Sequence, residues 1–202
     1  MAQDRQGDIK DRDEDLVRAA REAPEGDLRA FEQLVELYQK RIMADCRYLT
    51  RDESNYEDLA QEVFVKAFFG IHGFDGRSSF RHWLQRIKVH HCLNHIKKNE
   101  GKASLAIDDS APETYEELQV PPVAERDIES MEDRKRIGDV LNAMPATLRI
   151  PLIMRDMDEL TYEEIATALG VGLSAIKMRI KRAREQFRRI YKSEERVTGV
   201  TK

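Results

Sequence analysis

TYEEIATALGVGLSAIKMRIKRAREQFRRIY, residues Thr161 to Tyr191, is the stretch whose reading decides the fold. Thr161 followed three residues later by Glu164 has the pattern of a capping box, in which the hydroxyl and the carboxylate each satisfy an orphan amide of the first turn. The spacing predicts a helix starting there, with Ile165, Ala166 and Leu169 on its apolar face. Gly170 follows directly and accepts the left-handed conformation that ends a helix, because it has no Cβ to clash. A second helix is expected from about Ser174. In it Ile176, Ile180, Ala183, Phe187 and Ile190 recur at steps of four, three, four and three. Between Ser174 and Lys192 stand eight basic residues and one acid, Glu185. Two short helices around a tight Gly turn, the second basic away from its core stripe, have the form of a helix-turn-helix that enters a DNA major groove. At roughly 100° per residue, Ser174, Ala175, Met178, Lys181 and Arg182 point away from the Ile176/Ile180 stripe, with Lys177 at its flank. These are the candidate DNA-facing residues.

Bulk composition alone does not reveal a nucleic-acid binder, since the net charge of the 202-residue chain is −4. The distribution of charge is more informative. Ala103 to Asp133 holds ten acids and one base, so an acidic middle masks basic segments on either side. The length suits one or two domains with cores of their own. There is no run of about 18 apolar residues and no apolar leader near the N-terminus, so a cytoplasmic protein that does not insert into membranes is expected. Cys46 and Cys92 lie in separate helical patterns without CxxC spacing and read as reduced, packed thiols.

Working outward, residues 1–13 read as a flexible N-terminus and Glu14 to Arg21 as a short helix. Pro24, Gly26 and Asp27 mark a turn and cap. Phe31, Leu34, Tyr38, Ile42, Cys46 and Leu49 step by three and four along one long helix, which reads as core. In the next expected helix, Asn55 to Phe69, Leu59, Ala60, Val63, Phe64 and Ala67 face inward. Asp58, Gln61 and Glu62 cluster outward, and their strip runs into Val65 and Phe69, a face suited to a basic protein partner. Gly70, Gly73 and Gly76 then break the chain into a loop.

The segment Phe80 to Asn99, FRHWLQRIKVHHCLNHIKKN, carries five bases, four of the five histidines and no acid. Its apolar residues change sides along the helix: Phe80, Trp83, Leu84 and Ile87 share one face, Val89, Cys92, Leu93 and Ile96 the opposite one. His90, His91, Asn94 and Lys98 therefore prolong the aromatic strip as polar groups. Rings running into hydrogen-bonding and basic groups suit unstacked bases. His91 and His95 stand at metal-ligand spacing, but the acid of HExxH is missing and no third ligand is evident, so no metal is expected. No cofactor is expected either. Nucleotide-binding GxxxxGK and nucleophile-elbow GxSxG motifs are absent, and nothing points to catalysis. Residues 101–128, with Pro112, Pro121 and Pro122 among acids, read as a flexible linker between a 14–100 domain and a 129–192 domain, followed by a 193–202 tail. In the second domain Met131, Ile137, Val140, Leu141 and Met144 share a helix, Pro145 marks a helix start, and Pro151 is expected to kink the helix it sits in.

An aromatic and basic helix closing one helical domain, an acidic linker and a C-terminal helix-turn-helix together resemble bacterial RNA polymerase sigma factors of the extracytoplasmic-function (ECF) group. DLAQEVFVKAF (Asp58 to Phe68) is similar to the family's clamp-binding segment, FRHWLQRI (Phe80 to Ile87) to its promoter-melting helix, and Thr161 to Glu185 to its −35-reading domain. The resemblance implies an all-α, two-domain, non-enzymatic promoter-specificity subunit. Its implied partners are core RNA polymerase, through the β′ clamp helices and β flap, promoter DNA and an anti-sigma factor. It implies that Asp58, Gln61, Glu62 and Val65 face polymerase. Around the −10 element it implies Phe74, Arg77, Ser78, Ser79, Phe80, Trp83, Arg86, His90, His91, Asn94, Lys97 and Lys98. At the −35 element it implies Ser174, Ala175, Lys177, Met178, Lys181 and Arg182, with Arg149 on phosphate. The chain departs from the family's usual Asn at His90, Asp at Asn94, Gly-Thr at Ser174-Ala175 and Ser at Met178, so a promoter sequence does not carry over. The alternative is a helix-turn-helix regulator that binds DNA without joining polymerase.

Overall fold

The computed structural model describes residues 13–99 and 131–198, and among them there are helices and no strands. The expected linker at 101–128, most of the N-terminal stretch and residues 199–202 lie outside the described residues. The chain divides into two compact units after Asn94, ahead of the expected domain end at residue 100.

The first unit holds α1 (13–22), α2 (Arg29–Thr50), α3 (Tyr56–Gly70) and α4 (Phe80–Asn99) as far as Asn94, the boundary falling inside α4. The turn into α2 follows from its residues: the Asp27 amide donates to Pro24 O, Gly26 takes a φ of +88°, and Asp27 Oδ1 accepts from the Arg29 amide at 3.2 Å. All six apolar residues of the α2 stripe are buried, and α3 buries Leu59, Ala60, Val63 and Ala67. Phe64 is only half-buried. Asp13 at the start of α1 accepts a hydrogen bond from the buried Tyr38 hydroxyl, which ties α1 to α2. Burial and the neighbouring carboxylate raise the Tyr38 phenol well above its ordinary range.

The buried face of α4 swings round the helix as its apolar pattern suggested, from Phe80 and Leu84 near the start to Val89 and Leu93 further on. One continuous buried arc takes in Phe80, Leu84, Val89, Cys92, Leu93 and Ile96, and polar residues fill the gap: Gln85 and Lys88 are buried with them. The reason is an acid on the facing helix. Lys88 Nζ lies 3.0 Å from Asp45 Oδ2, and both side chains are almost wholly buried. A charge without solvent persists only beside a counter-charge.

In the second unit, α5 (Met131–Ala143), α6 (Ala146–Leu152) and α7 (Tyr162–Leu169) all pack on α8 (Leu173–Thr198), which runs past the expected end at residue 192. Pro145 precedes α6 in an extended conformation. Pro151 lies inside α6 and supplies no amide to the helical ladder. The chain responds by widening into a π-helical turn at Ile153–Met157, closed by the Asp158 amide on Ile153 O. Arg184 donates to both Asp156 oxygens, at 2.9 and 2.5 Å, and so clamps this turn to α8. That carboxylate raises the Arg184 pKa.

Candidate nucleic-acid and polymerase interfaces

The helix-turn-helix is built as its residues dictate. The Glu164 amide donates to Thr161 Oγ1 at 3.2 Å, and the Thr161 amide donates to Glu164 Oε2 at 2.9 Å. Gly170 takes a φ of +70°, and the amides of Gly170 and Val171 both donate to Ala166 O. The turn places Ile176, Ile180, Ala183 and Phe187 in the core, while Ile190 is half-buried. Ser174, Lys177 and Arg182 are left exposed, and Ala175, Met178 and Lys181 partly so. These six residues share one outward face. Arg149 does not join them, contrary to expectation. It is 3% exposed and Nη1 donates to Met144 O at 3.3 Å, so its guanidinium caps the end of α5 and has no surface to offer a phosphate.

In the first unit, α3 presents Asp58, Gln61, Glu62 and Val65 outward, and Phe69, 77% exposed, continues the strip by one turn. Val65 is exposed as well, so large apolar side chains stand beside acids on this face. Around the corner, Lys66, Gly70 and Gly73 from one side and Trp83, Arg86, Ile87, His90, His91 and Asn94 of α4 from the other line an open cleft of about 660 Å³. The indole approaches Gly70 so closely that a Cβ there would lie 3.2 Å from Trp83 Cζ2. Lys97 is half-buried and Lys98 exposed further along α4.

Two of the aromatic residues expected to meet DNA are turned inward. Phe74 and Phe80 are buried, with ring centres 6.1 Å apart and 5.4 and 5.6 Å from that of Trp83. They brace the indole from behind. The loop before α4 is held by Asp75, which accepts from the Arg77 amide at 3.0 Å and from Arg77 Nε at 2.5 Å. Those donors, the backbone amide foremost, lower the Asp75 pKa. Ser79 caps α4 by accepting from the His82 amide at 3.2 Å. His91, on the cleft wall, has Nε2 2.9 Å from Glu62 Oε2, so the acidic strip and the cleft share a contact that sequence spacing did not foretell. His95 is engaged with Asn99 Nδ2 at 2.9 Å.

Comparison with known proteins agrees with this geometry. The Sigma-70 region 2 family matches residues 34–101, which hold the acidic strip and the cleft, and the Sigma-70 region 4 family matches residues 134–187, which hold the helix-turn-helix. The chain is 34% identical over 168 residues to the RNA polymerase sigma-H factor of Pseudomonas aeruginosa, covering 79% of this chain and 85% of that one. The chain belongs to the ECF sigma factors. It is 32% identical over 165 residues to the ECF RNA polymerase sigma-E factor of Escherichia coli K12, with the same coverages. Among solved structures, this sigma factor is similar to the sigma factor RpoE of Bartonella quintana, seen in complex with the anti-sigma factor NepR. That match has a TM-score of 0.55 and 25% identity, covering 80% of this chain and 96% of that one. CnrH, seen with the cytosolic domain of CnrY, has the same TM-score at 22% identity and shows the shared fold. As an alternative sigma factor, it serves promoter recognition and transcription initiation by RNA polymerase. No described helix of this sigma factor is long and apolar enough to cross a membrane.

Proposed function

We propose that the two units divide the work of this sigma factor by residue. The α3 strip of Asp58, Gln61, Glu62 and Val65 holds core polymerase, while Trp83, Arg86, His90, His91 and Asn94 along the cleft take an unstacked base of the −10 element. Arg77, Ser78, Ser79, Lys97 and Lys98 flank its backbone. Ser174, Ala175, Lys177, Met178, Lys181 and Arg182 face the −35 major groove, where Met178 offers apolar contact to a thymine methyl. The observation that carries this reading is the cleft itself. An indole edge, hydrogen-bonding side chains and bases surround a space of about 660 Å³, beside an acidic, partly apolar strip on the neighbouring helix.

In this reading residues 14–100 and 129–192 are the working domains, and residues 101–128 are a tether that lets both engage one promoter at once. The chain has no catalytic activity of its own, because polymerase performs the chemistry, and it works in the cytoplasm where polymerase is. The anti-sigma factor NepR, bound to the RpoE relative of Bartonella quintana, supports an anti-sigma partner for this chain as well. Run-off transcription with purified core enzyme tests the reading. Wild-type protein should support promoter-specific transcripts, Trp83→Ala should bind core enzyme yet fail to open the promoter, and equal opening by both would refute the assignment of the cleft.

A further inference from the structure

Cys46 on α2 and Cys92 on α4 meet in the core of the first unit, Sγ to Sγ at 3.6 Å, and neither has any solvent exposure. They are the two cysteines of the chain, so each is the other's one possible thiol for an intramolecular disulfide. A disulfide spans about 2.05 Å, so closure asks for about 1.5 Å of approach shared between two side chains. The ion pair beside them keeps the two helices in register for it. Asp45 precedes Cys46, Lys88 stands one turn before Cys92, and their 3.0 Å contact pins the same turns of α2 and α4.

We propose that Cys46 and Cys92 form a dithiol–disulfide couple that a hydroperoxide closes within the first unit. One sulfur, as thiolate, attacks the O–O bond of hydrogen peroxide. The bond breaks, the sulfur becomes a sulfenic acid, and the departing oxygen leaves as water with the proton from the thiol. The second thiol then attacks that sulfur. The S–S bond forms, the S–O bond breaks, and the leaving hydroxide takes the second thiol's proton as another water. Two thiols and one peroxide give one disulfide and two waters, and a thiol reductant reverses the change. Burial sets the rate. Peroxide reaches the sulfurs only when α4 lifts locally from α2, so closure is slow in the folded protein, and the finished bond is shielded from reductant. Once closed, it joins α4 to α2 covalently, so the helix that carries Trp83 and His90 loses its freedom to shift on the core.

The test treats the full-length protein with hydrogen peroxide, blocks remaining thiols under denaturing conditions and reads intact mass and tryptic peptides. The expected product is a monomer two hydrogen masses lighter. Its Cys46 and Cys92 peptides are joined, its thiols are lost together, and dithiothreitol restores both. Cys46→Ala and Cys92→Ala should each abolish the cross-link. Should either variant fold poorly, the thiol count of the wild-type protein decides alone. Dimers linked between chains, oxidation of one cysteine with the other still free, or two blockable thiols after the methionines have taken up oxygen would each overturn the proposal.

Discussion

Lys88 has no exposed surface, and its ammonium survives in the core because the Asp45 carboxylate lies 3.0 Å away. Replacing it with Met leaves that carboxylate only the longer contacts of Arg41 Nε at 4.0 Å and Gln85 Nε2 at 3.5 Å, at a cost of up to about 3 kcal/mol. Urea unfolding of Lys88→Met should show a fall of that size, and adding Asp45→Leu should recover most of it. Gly70 answers to a different constraint, space. A methyl group there meets Trp83 Cζ2 at 3.2 Å, closer than an ordinary van der Waals contact, so the indole has to shift slightly on the cleft wall. Gly70→Ala should therefore reduce permanganate reactivity of −10 thymines in the open complex while binding to core enzyme and to −35 duplex stays unchanged. Asp27 gives a pH dependence with a definite sign. The Arg29 side chain, and after it the Arg29 amide, hold its carboxyl down to about 2 from 3.8. A depressed acid stabilises the fold above the unfolded value and loses that contribution as pH falls through the folded one. Protection factors of the amides at the start of α2, taken relative to the intrinsic exchange rate at each pH, should thus be constant above pH 4 and fall as pH drops toward 2.

At the scale of elements, two arginines of the second unit separate binding from scaffolding. Arg182 is exposed on the outward face of α8, and Arg149 is buried under α5. Arg182→Ala should lower the slope of log affinity against log salt for −35 duplex by about one. Arg149→Ala should leave that slope alone and lower the thermal midpoint instead. The helix-turn-helix was legible because its determinants are local: Thr161, Glu164 and Gly170 each act within a turn of where they stand. The outward face of α8 was legible for the same reason, since periodicity alone orients it. What the sequence hid depends on which helix turns meet across the core. Asp45 with Lys88, Cys46 with Cys92 and Glu62 with His91 are pairs from different helices, and no spacing along one helix announces them. The inward setting of Phe74 and Phe80 is hidden in the same way, because an aromatic pattern does not say which rings stand behind the surface. A kink at Pro151 was foreseeable, but its form, a π-helical turn clamped by Arg184 on Asp156, needed α8 in place.

The whole molecule is acidic at −4, yet its outward faces on α4 and α8 are basic and polar, and α3 between Asp58 and Val65 carries acid beside apolar surface. Such a distribution disfavours tight hold on free DNA and favours docking to a basic protein surface first. Glu62→Lys should accordingly remove run-off transcripts through loss of core binding, as read by co-elution with core enzyme, while the isolated protein binds −35 duplex as before. Trp83 adds one more consequence at this scale. It is the chain's single tryptophan, half-exposed at the rim of the cleft and propped by two buried phenyl rings. Its emission therefore reports from one known spot, and a nucleobase stacking on that indole should quench it. The protein carries its own optical clock for the moment a promoter comes apart, and stopped-flow mixing of holoenzyme with unlabelled DNA would follow it directly.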